Sequence, residues 1–225
     1  MIGIPIAFAL FGYGEWAAHK YAFHGLGRKR SSAFAFHYHE HHQAVRRNGF
    51  YDAAYEGPVW TTPTQFREAV GILVVGAAHL PLFPIAPFYA STVWYCLWRY
   101  RRDHRRAHLD PDWARDHLPG HYDHHMGDQD KNFAICWPWV DLLAGTREHF
   151  VGSDKELAQR AMHAERADKA KSGAVERALH HQLFLKFLAR SISRTRRTPA
   201  SSRSIGPIKE SGPGVRLGRE IGSKK

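Results

Sequence analysis

Residues 69–98 read AVGILVVGAAHLPLFPIAPFYASTVWYCLW, thirty consecutive positions without an Asp, Glu, Lys or Arg. So apolar a run must be covered by protein or lipid. Pro81, Pro84 and Pro87 near its middle each remove a backbone donor and disfavour uninterrupted helix. The pattern predicts two apolar helices, over about 66–80 and 88–108, folded back on each other as a hairpin. An upright membrane crossing takes about 20 apolar residues, so partial insertion and two full crossings are both open. The second arm runs into Arg99, Arg101, Arg102, Arg105 and Arg106, and cationic flanks of this kind mark the cytoplasmic side of an apolar segment.

On the N-terminal side, residues 1–14 (MIGIPIAFALFGYG) are uncharged. Helical continuation through Glu15 and Trp16 to His19 gives one hydrophobic helix with a histidine-bearing end. A secretory leader is disfavoured, because the run lacks a basic start and leads into HKYAFH rather than a small-residue cleavage site. Arg28, Lys29 and Arg30 follow and again point to the cytoplasm. Next, FHYHEHHQAVRRNGFYDAAYEG (36–57) reads as a polar, aromatic helix stopped at Asn48-Gly49 and lying outside the bilayer.

On the C-terminal side, Pro111 and Asp112 open a segment that Pro119-Gly120 interrupts, and CWPWVDLLAGT (136–146) closes the dense region. Residues 154–171 are charged helix formers. Between 174 and 190, Leu179, Leu183, Phe184, Phe187 and Leu188 recur at helical spacing, suited to a membrane surface or to packing on the body. Residues 191–225 hold nine Lys/Arg against two Asp/Glu and 15 Ser, Gly and Pro, the composition of a disordered basic tail. The organisation is thus a membrane-embedded domain over 1–150, a charged and amphipathic extension over 151–190, and the tail over 191–225. The fold class is all-α: an integral membrane helical protein with a histidine-rich cytoplasmic cap.

Composition supports a folded body. With 44% apolar and 13% aromatic residues the chain is not wholly disordered, and a mean hydropathy of -0.46 argues against a transporter built mostly of spans. The two cysteines, Cys96 and Cys136, give no disulfide framework and suit a reducing compartment. The tail supplies most of the formal +11, so the basic pI says little about the body.

Histidine is the anomaly: there are 17, and thirteen fall between His19 and His125. Four clusters stand out: His19-x4-His24; His37, His39, His41 and His42; His104-x3-His108; and His121-x2-His124-His125. A lone histidine ordinarily packs or is solvated. Grouped at i, i+3 or i+4 on a helix, two imidazoles face one side and can grip one ion. At about 100° per residue, His104 and His108 can share an ion. His19 and His24, about 140° apart on an α-helix, cannot easily do so. The adjacent pairs His41-His42 and His124-His125 splay by about 100° and suit two ions. Ten histidines then give five to each of two metals. In the second cluster His37 is favoured as third ligand, with His39 as a supporting or substitute ligand. Glu15, Glu40, Asp123 and Asp128 are placed to hydrogen-bond imidazole N–H groups. His117 is a possible outer group.

The order HX4H, HX3HH, HX3H, HX2HH, with an apolar hairpin between the second and third clusters, resembles the fatty acid hydroxylase and sterol desaturase superfamily of membrane oxygenases. Carried over by position, the resemblance implies His19, His24, His37, His41, His42, His104, His108, His121, His124 and His125 as ligands. Trp139-Val-Asp-Leu-Leu-Ala-Gly-Thr146 is similar to that family's closing element, with Val140 intruding. The likeness covers residues 10–147. It implies two iron ions, with zinc as a possible substitute, and O2 as co-substrate for hydroxylating or desaturating a lipid C–H bond. The lipid could be a fatty acyl chain, sterol, sphingolipid or carotenoid. No electron-transfer module lies on the chain, so the expected donor is external, cytochrome b5-like or ferredoxin-like.

Phe8, Phe11, Phe83, Phe88 and Trp94 are candidates to line a lipid channel. The rival reading is a non-catalytic membrane metal-binding or metal-transport protein, although transporters place ionisable ligands at the midplane of their spans rather than at helix ends. Nucleic-acid binding through the tail has no recognised motif to support it.

Overall fold

The computed structural model describes residues 1–195, with side-chain environments to residue 190. All regular structure among these residues is helical. The chain divides into two units, Met1–Lys171 and Ser172–Lys225. The expected disordered tail lies almost wholly outside the described residues.

In the first unit, α1 (Gly3–Ala17) passes without a break into a π-helical segment, Ala18–Gly25. A second π-helical segment, His37–His41, leads into α2 (His42–Arg47). The hairpin arms are α3 (Pro63–His79) and α4 (Pro87–Leu109). Thr62 caps α3 by accepting from the Gln65 amide at 3.4 Å, and Pro63 and Pro87 sit in first turns, where a missing N–H costs nothing. The short helices α5 (Pro111–His117), α6 (Pro119–Met126) and α7 (Trp139–Leu143) follow. The segment is thus interrupted at Leu118, as expected, and Pro119 begins the next helix. The charged stretch from residue 154 and the amphipathic stretch ending near 190 belong to one helix, α8 (Asp154–Thr195).

Two apolar clusters hold this unit. Ala7 of α1 packs with Val93 and Leu97 of α4, joined by Phe11, Ile72 and Tyr89. Gly76 lets α3 approach α4, since a Cβ there would stand 2.8 Å from the Trp94 ring. The second cluster, Val45, Phe50, Ala107, Ala114, Leu118, Tyr122 and Met126, ties α2, α4, α5 and α6 together beneath the histidines.

Among the described residues no helix is long and apolar enough to cross a membrane. The 15 residues of α1 reach about 22 Å at 1.5 Å per residue, against a hydrocarbon core of about 30 Å, and the helical continuation beyond it carries His19, Lys20 and His24. The apolar part of α4 ends at Arg99, and the prolines stop α3 and α4 from merging. The expectation of membrane-crossing helices therefore has no element to carry it. Many large apolar side chains are nonetheless exposed, among them Ile6, Leu10, Leu73, Val74, Phe83, Ile85 and Phe88.

The latter part of α8 belongs to the second unit. Its Leu179, Leu183, Phe184, Phe187 and Leu188 are exposed.

Candidate metal centre

The histidine-bearing elements converge on two buried groups that could hold metal ions: His19, His24, His37, His42 and His124; and His41, His104, His108 and His125. Each group has its ligand nitrogens within 4.8 Å of one another. His121 joins the second through its Nε2, 3.1 Å from Nε2 of His108. The adjacent pairs are divided between the groups, His42 and His124 to one, His41 and His125 to the other, as the 100° splay requires.

The first group departs from α-helical expectation. His19 and His24 share a group, and so do His37 and His42, the latter pair with Nε2 atoms 3.1 Å apart. Both are i, i+5 pairs. The backbone at each is π-helical, and the wider turn closed by i→i+5 hydrogen bonds brings residues five apart to one side. The 140° separation belongs to an α-helix, which this segment is not. The same geometry pairs His37 with His42 rather than with His41.

Metal fit can be tested on the nitrogens themselves. The Nε2 atoms of His24, His42 and His124 form a triangle with sides of 3.0, 3.0 and 3.2 Å. A hydrogen bond needs a donor at one end and an acceptor at the other, and an odd ring cannot alternate. Neutral imidazoles alone therefore leave one pair repelling, whereas a central ion accepts every lone pair. Metal–nitrogen bonds of about 2.0–2.1 Å give neighbours about 3.0 Å apart at right angles and about 3.4 Å apart at tetrahedral angles. Further contacts of 3.0 Å (His19 to His37) and 3.2 Å (His104 to His108) fall within this span. Unpartnered buried nitrogens at His41 Nε2 and His125 Nε2 complete the fit.

Outer contacts aim these rings. The Nδ1 of His19 donates to the Phe133 carbonyl at 2.6 Å, that of His124 to the Lys131 carbonyl at 2.6 Å, and that of His108 to the Phe50 carbonyl at 3.3 Å. Two carboxylates do the same: Asp52 receives His41 Nδ1 at 2.9 Å and Glu68 receives His104 Nδ1 at 2.7 Å. Each such bond leaves the Nε2 lone pair facing inward. Burial is the main cause that lowers the imidazole pKa values, to about 3 at His19 and about 2 at His24, and well below the ordinary range at His104, His108, His121 and His125. Neutral imidazole is the form a metal takes.

Asp52 and Glu68 are thus the acids on the histidines, and the four expected ones are elsewhere. Glu15 accepts the amides of Ile135 and Cys136 at 2.9 and 3.1 Å. Asp123 is buried against Arg147 at 2.7 Å and the amides of Phe150 and Val151. Exposed Glu40 lies 4.0 Å from Arg67, and exposed Asp128 accepts the Asp130 amide at 2.8 Å. His39 is outside both groups, with Nε2 donating to the Arg28 carbonyl at 2.9 Å. His117 is exposed, stacked on Trp113.

Sequence reasoning missed Asp52, Glu68 and Phe50. Glu68 had one legible signal, as the last charged residue before the uncharged run. Phe50 is fully buried at φ 81°, a costly backbone state for a bulky residue. Its ring stacks on His108 and Tyr122, both centroids at 4.9 Å. The closing element acts on the site through the backbone. Asp141 accepts the Phe133 and Ala134 amides at 2.9 Å and the Thr146 hydroxyl at 2.7 Å, fixing the loop whose carbonyl orients His19.

A cavity of about 610 Å³ reaches the histidines, with His19, His37 and His104 in its wall. The rest of the lining is largely apolar, including Leu10, Phe11, Phe23, Phe34, Phe36, Phe66, Val93 and Leu97. Of the aromatics expected to line a channel, Phe11 does so; Phe8, Phe83, Phe88 and Trp94 are not in the wall. No family model, no curated protein and no solved structure matches the chain.

Proposed function

We propose that this chain is a two-metal, O2-dependent oxygenase that hydroxylates or desaturates a C–H bond of a lipid, as its resemblance to the fatty acid hydroxylase and sterol desaturase superfamily implies. The observation that carries the reading is the apolar cavity whose wall includes His19, His37 and His104, histidines of both metal-holding groups. A store or transporter of ions has no need of an apolar chamber of this size beside its ligands.

The five histidines of one group and His41, His104, His108 and His125 of the other, with His121 beside them, would hold two ions, iron in the active protein. Bound there, a redox metal supplies the activation of O2 that organic side chains cannot. The protein's own part is positioning and exclusion. Leu97, Val93 and Phe11 bury the lipid chain and keep water from the reacting carbon. Asp52 and Glu68 hold His41 and His104 in one tautomer. Burial raises the Glu15 carboxyl to about 7, so this cavity-lining group can exchange a proton near neutrality, with Oε2 unpartnered. Exposed apolar side chains on α1, α3 and the hairpin tip suit a bilayer surface as the source of substrate, with the protein seated in one leaflet.

The test is mass spectrometry of iron-loaded protein given O2, a chemical reductant and a panel of fatty acyl, sphingolipid, sterol and carotenoid substrates. A product heavier by one oxygen, or lighter by two hydrogens, is expected. Metal flux across vesicles with no such product would favour the metal-transport reading instead.

A further inference from the structure

Two exposed arginines grip the backbone of the histidine cluster from outside. Arg28 Nε donates to the carbonyl of His24 at 3.1 Å, and Arg46 Nε donates to the carbonyl of His125 at 2.7 Å. One belongs to each metal-holding group. Arg28 is also paired with Asp130, and Arg46 with the Gly127 carbonyl, so both are tied to the loop whose Lys131 carbonyl orients His124.

Tyr38 lies beside Arg28 in this region. Its half-buried ring lies 5.5 Å from the ring of His24 and 6.3 Å from that of His42. The Arg28 guanidinium sits over it at 5.4 Å. The partly exposed tyrosine therefore contacts two histidines of the five-membered group on one side and the Arg28 cation on another. Lys29, Arg30 and Arg47, exposed neighbours in the chain, and half-buried Lys131 bring the region to six cationic side chains against Asp128 and Asp130.

The cavity touches the cluster elsewhere. Its wall contains His19, His37 and His104, but not His24, His42, His124 or His125. Lipid and patch thus meet different histidines.

The reading as an oxygenase makes a second approach necessary. Placing one atom of O2 in a C–H bond and releasing the other as water takes up two electrons and two protons; desaturation, releasing two waters, takes up the same. The protons come from solvent and the electrons from a reduced donor, oxidised in turn. We propose that the Arg28–Tyr38–Arg46 patch is the docking face for an acidic one-electron carrier protein, with the Tyr38 ring as the contact through which electrons reach the five-histidine group. The inference rests on the proposed function, and charge complementarity selects the partner.

The experiment uses the full-length, iron-loaded protein and two acidic carriers, a plant-type ferredoxin and a cytochrome b5, with basic cytochrome c as the opposite-charge control. Stopped-flow absorbance follows oxidation of each reduced carrier. Arg30→Glu/Arg47→Glu is expected to slow both acidic carriers by roughly tenfold or more at low ionic strength, with the difference lost at high salt, and to leave dithionite-driven turnover unchanged. Tyr38→Leu is expected to slow carrier oxidation at unchanged metal content, and Tyr38→Phe to restore it. Equal rates in wild type and the charge-reversal variant overturn the proposal. So does loss of binding to phosphatidylserine vesicles with carrier oxidation intact, which would make the patch a lipid contact. Absence of dithionite-driven lipid product overturns the oxygenase reading instead, and carrier binding by calorimetry then still reads the patch.

Discussion

His19 and His24, five residues apart, turn their rings to one side with centroids 4.9 Å apart, because the backbone between them is π-helical. Their sequence spacing suits an α-helix poorly and this turn well. The cost of the irregular turn is offset where an ion fills the space between the rings. Pairing in the first group is therefore local, whereas division of the neighbours His124 and His125 between groups is enforced by ordinary α-helical rotation.

That division predicts metal stoichiometry. Wild type is expected to bind about two ions per chain. His124→Ala and His125→Ala should each retain about one, and the double variant neither, since each change opens a different group. Elemental analysis of folded protein measures this. Loss of both ions from either single variant would mean one shared centre.

The acids behind the rings give a second expectation. Asp52→Asn and Glu68→Gln should lower metal affinity by about 10–100-fold, the usual effect of removing a carboxylate that orients a ligating imidazole. Glu40→Gln and Asp128→Asn, which touch no histidine, should change nothing. Competition with a chelator of known affinity separates the four.

Phe50 tests the packing beneath the second group. Phe50→Gly relieves the positive φ, worth about 1 kcal/mol, but opens a cavity against His108 and Tyr122, and truncation of a buried Phe costs about 3–5 kcal/mol. A net loss of about 2–4 kcal/mol is expected by denaturant unfolding, with weakened metal retention. A stabilised variant would show that the ring contributes little.

Much of this was readable in the chain. The hairpin followed from thirty uncharged residues broken by three prolines, and the arms α3 and α4 begin and end within three residues of expectation. The splitting of His41 from His42 and of His124 from His125 followed from helical rotation. The π-turns did not, because spacing alone does not announce a winding other than 3.6 residues per turn. Asp52 and Glu68 reach their histidines by tertiary contact over 11 and 36 residues, beyond any local pattern, whereas the acids nearest in sequence are occupied with backbone amides and arginines. The uncharged run left partial insertion and full crossings both open, and among the described residues no helix is long and apolar enough to cross.

The last expectation concerns acid. Burial holds the site imidazoles neutral in the folded, metal-free chain, His19 near 3 and His24 near 2, whereas in the unfolded chain they titrate at about 6.5. Between these values the unfolded state binds more protons, so stability rises with pH there. The contribution is fully present above about 6.5 and falls as the pH drops below it. Several histidines share the direction, so metal-free protein should lose helical circular dichroism steeply below about pH 6, at a midpoint well above that of ordinary carboxylate-driven unfolding. Bound metal competes with those protons and should move the midpoint down. The measurement is an acid titration with and without zinc, which is redox-silent and fits the same nitrogens. Coincident midpoints would mean that the histidines hold no ion, and a metal-free chain unmoved between pH 7 and pH 4 would mean that they are not buried together.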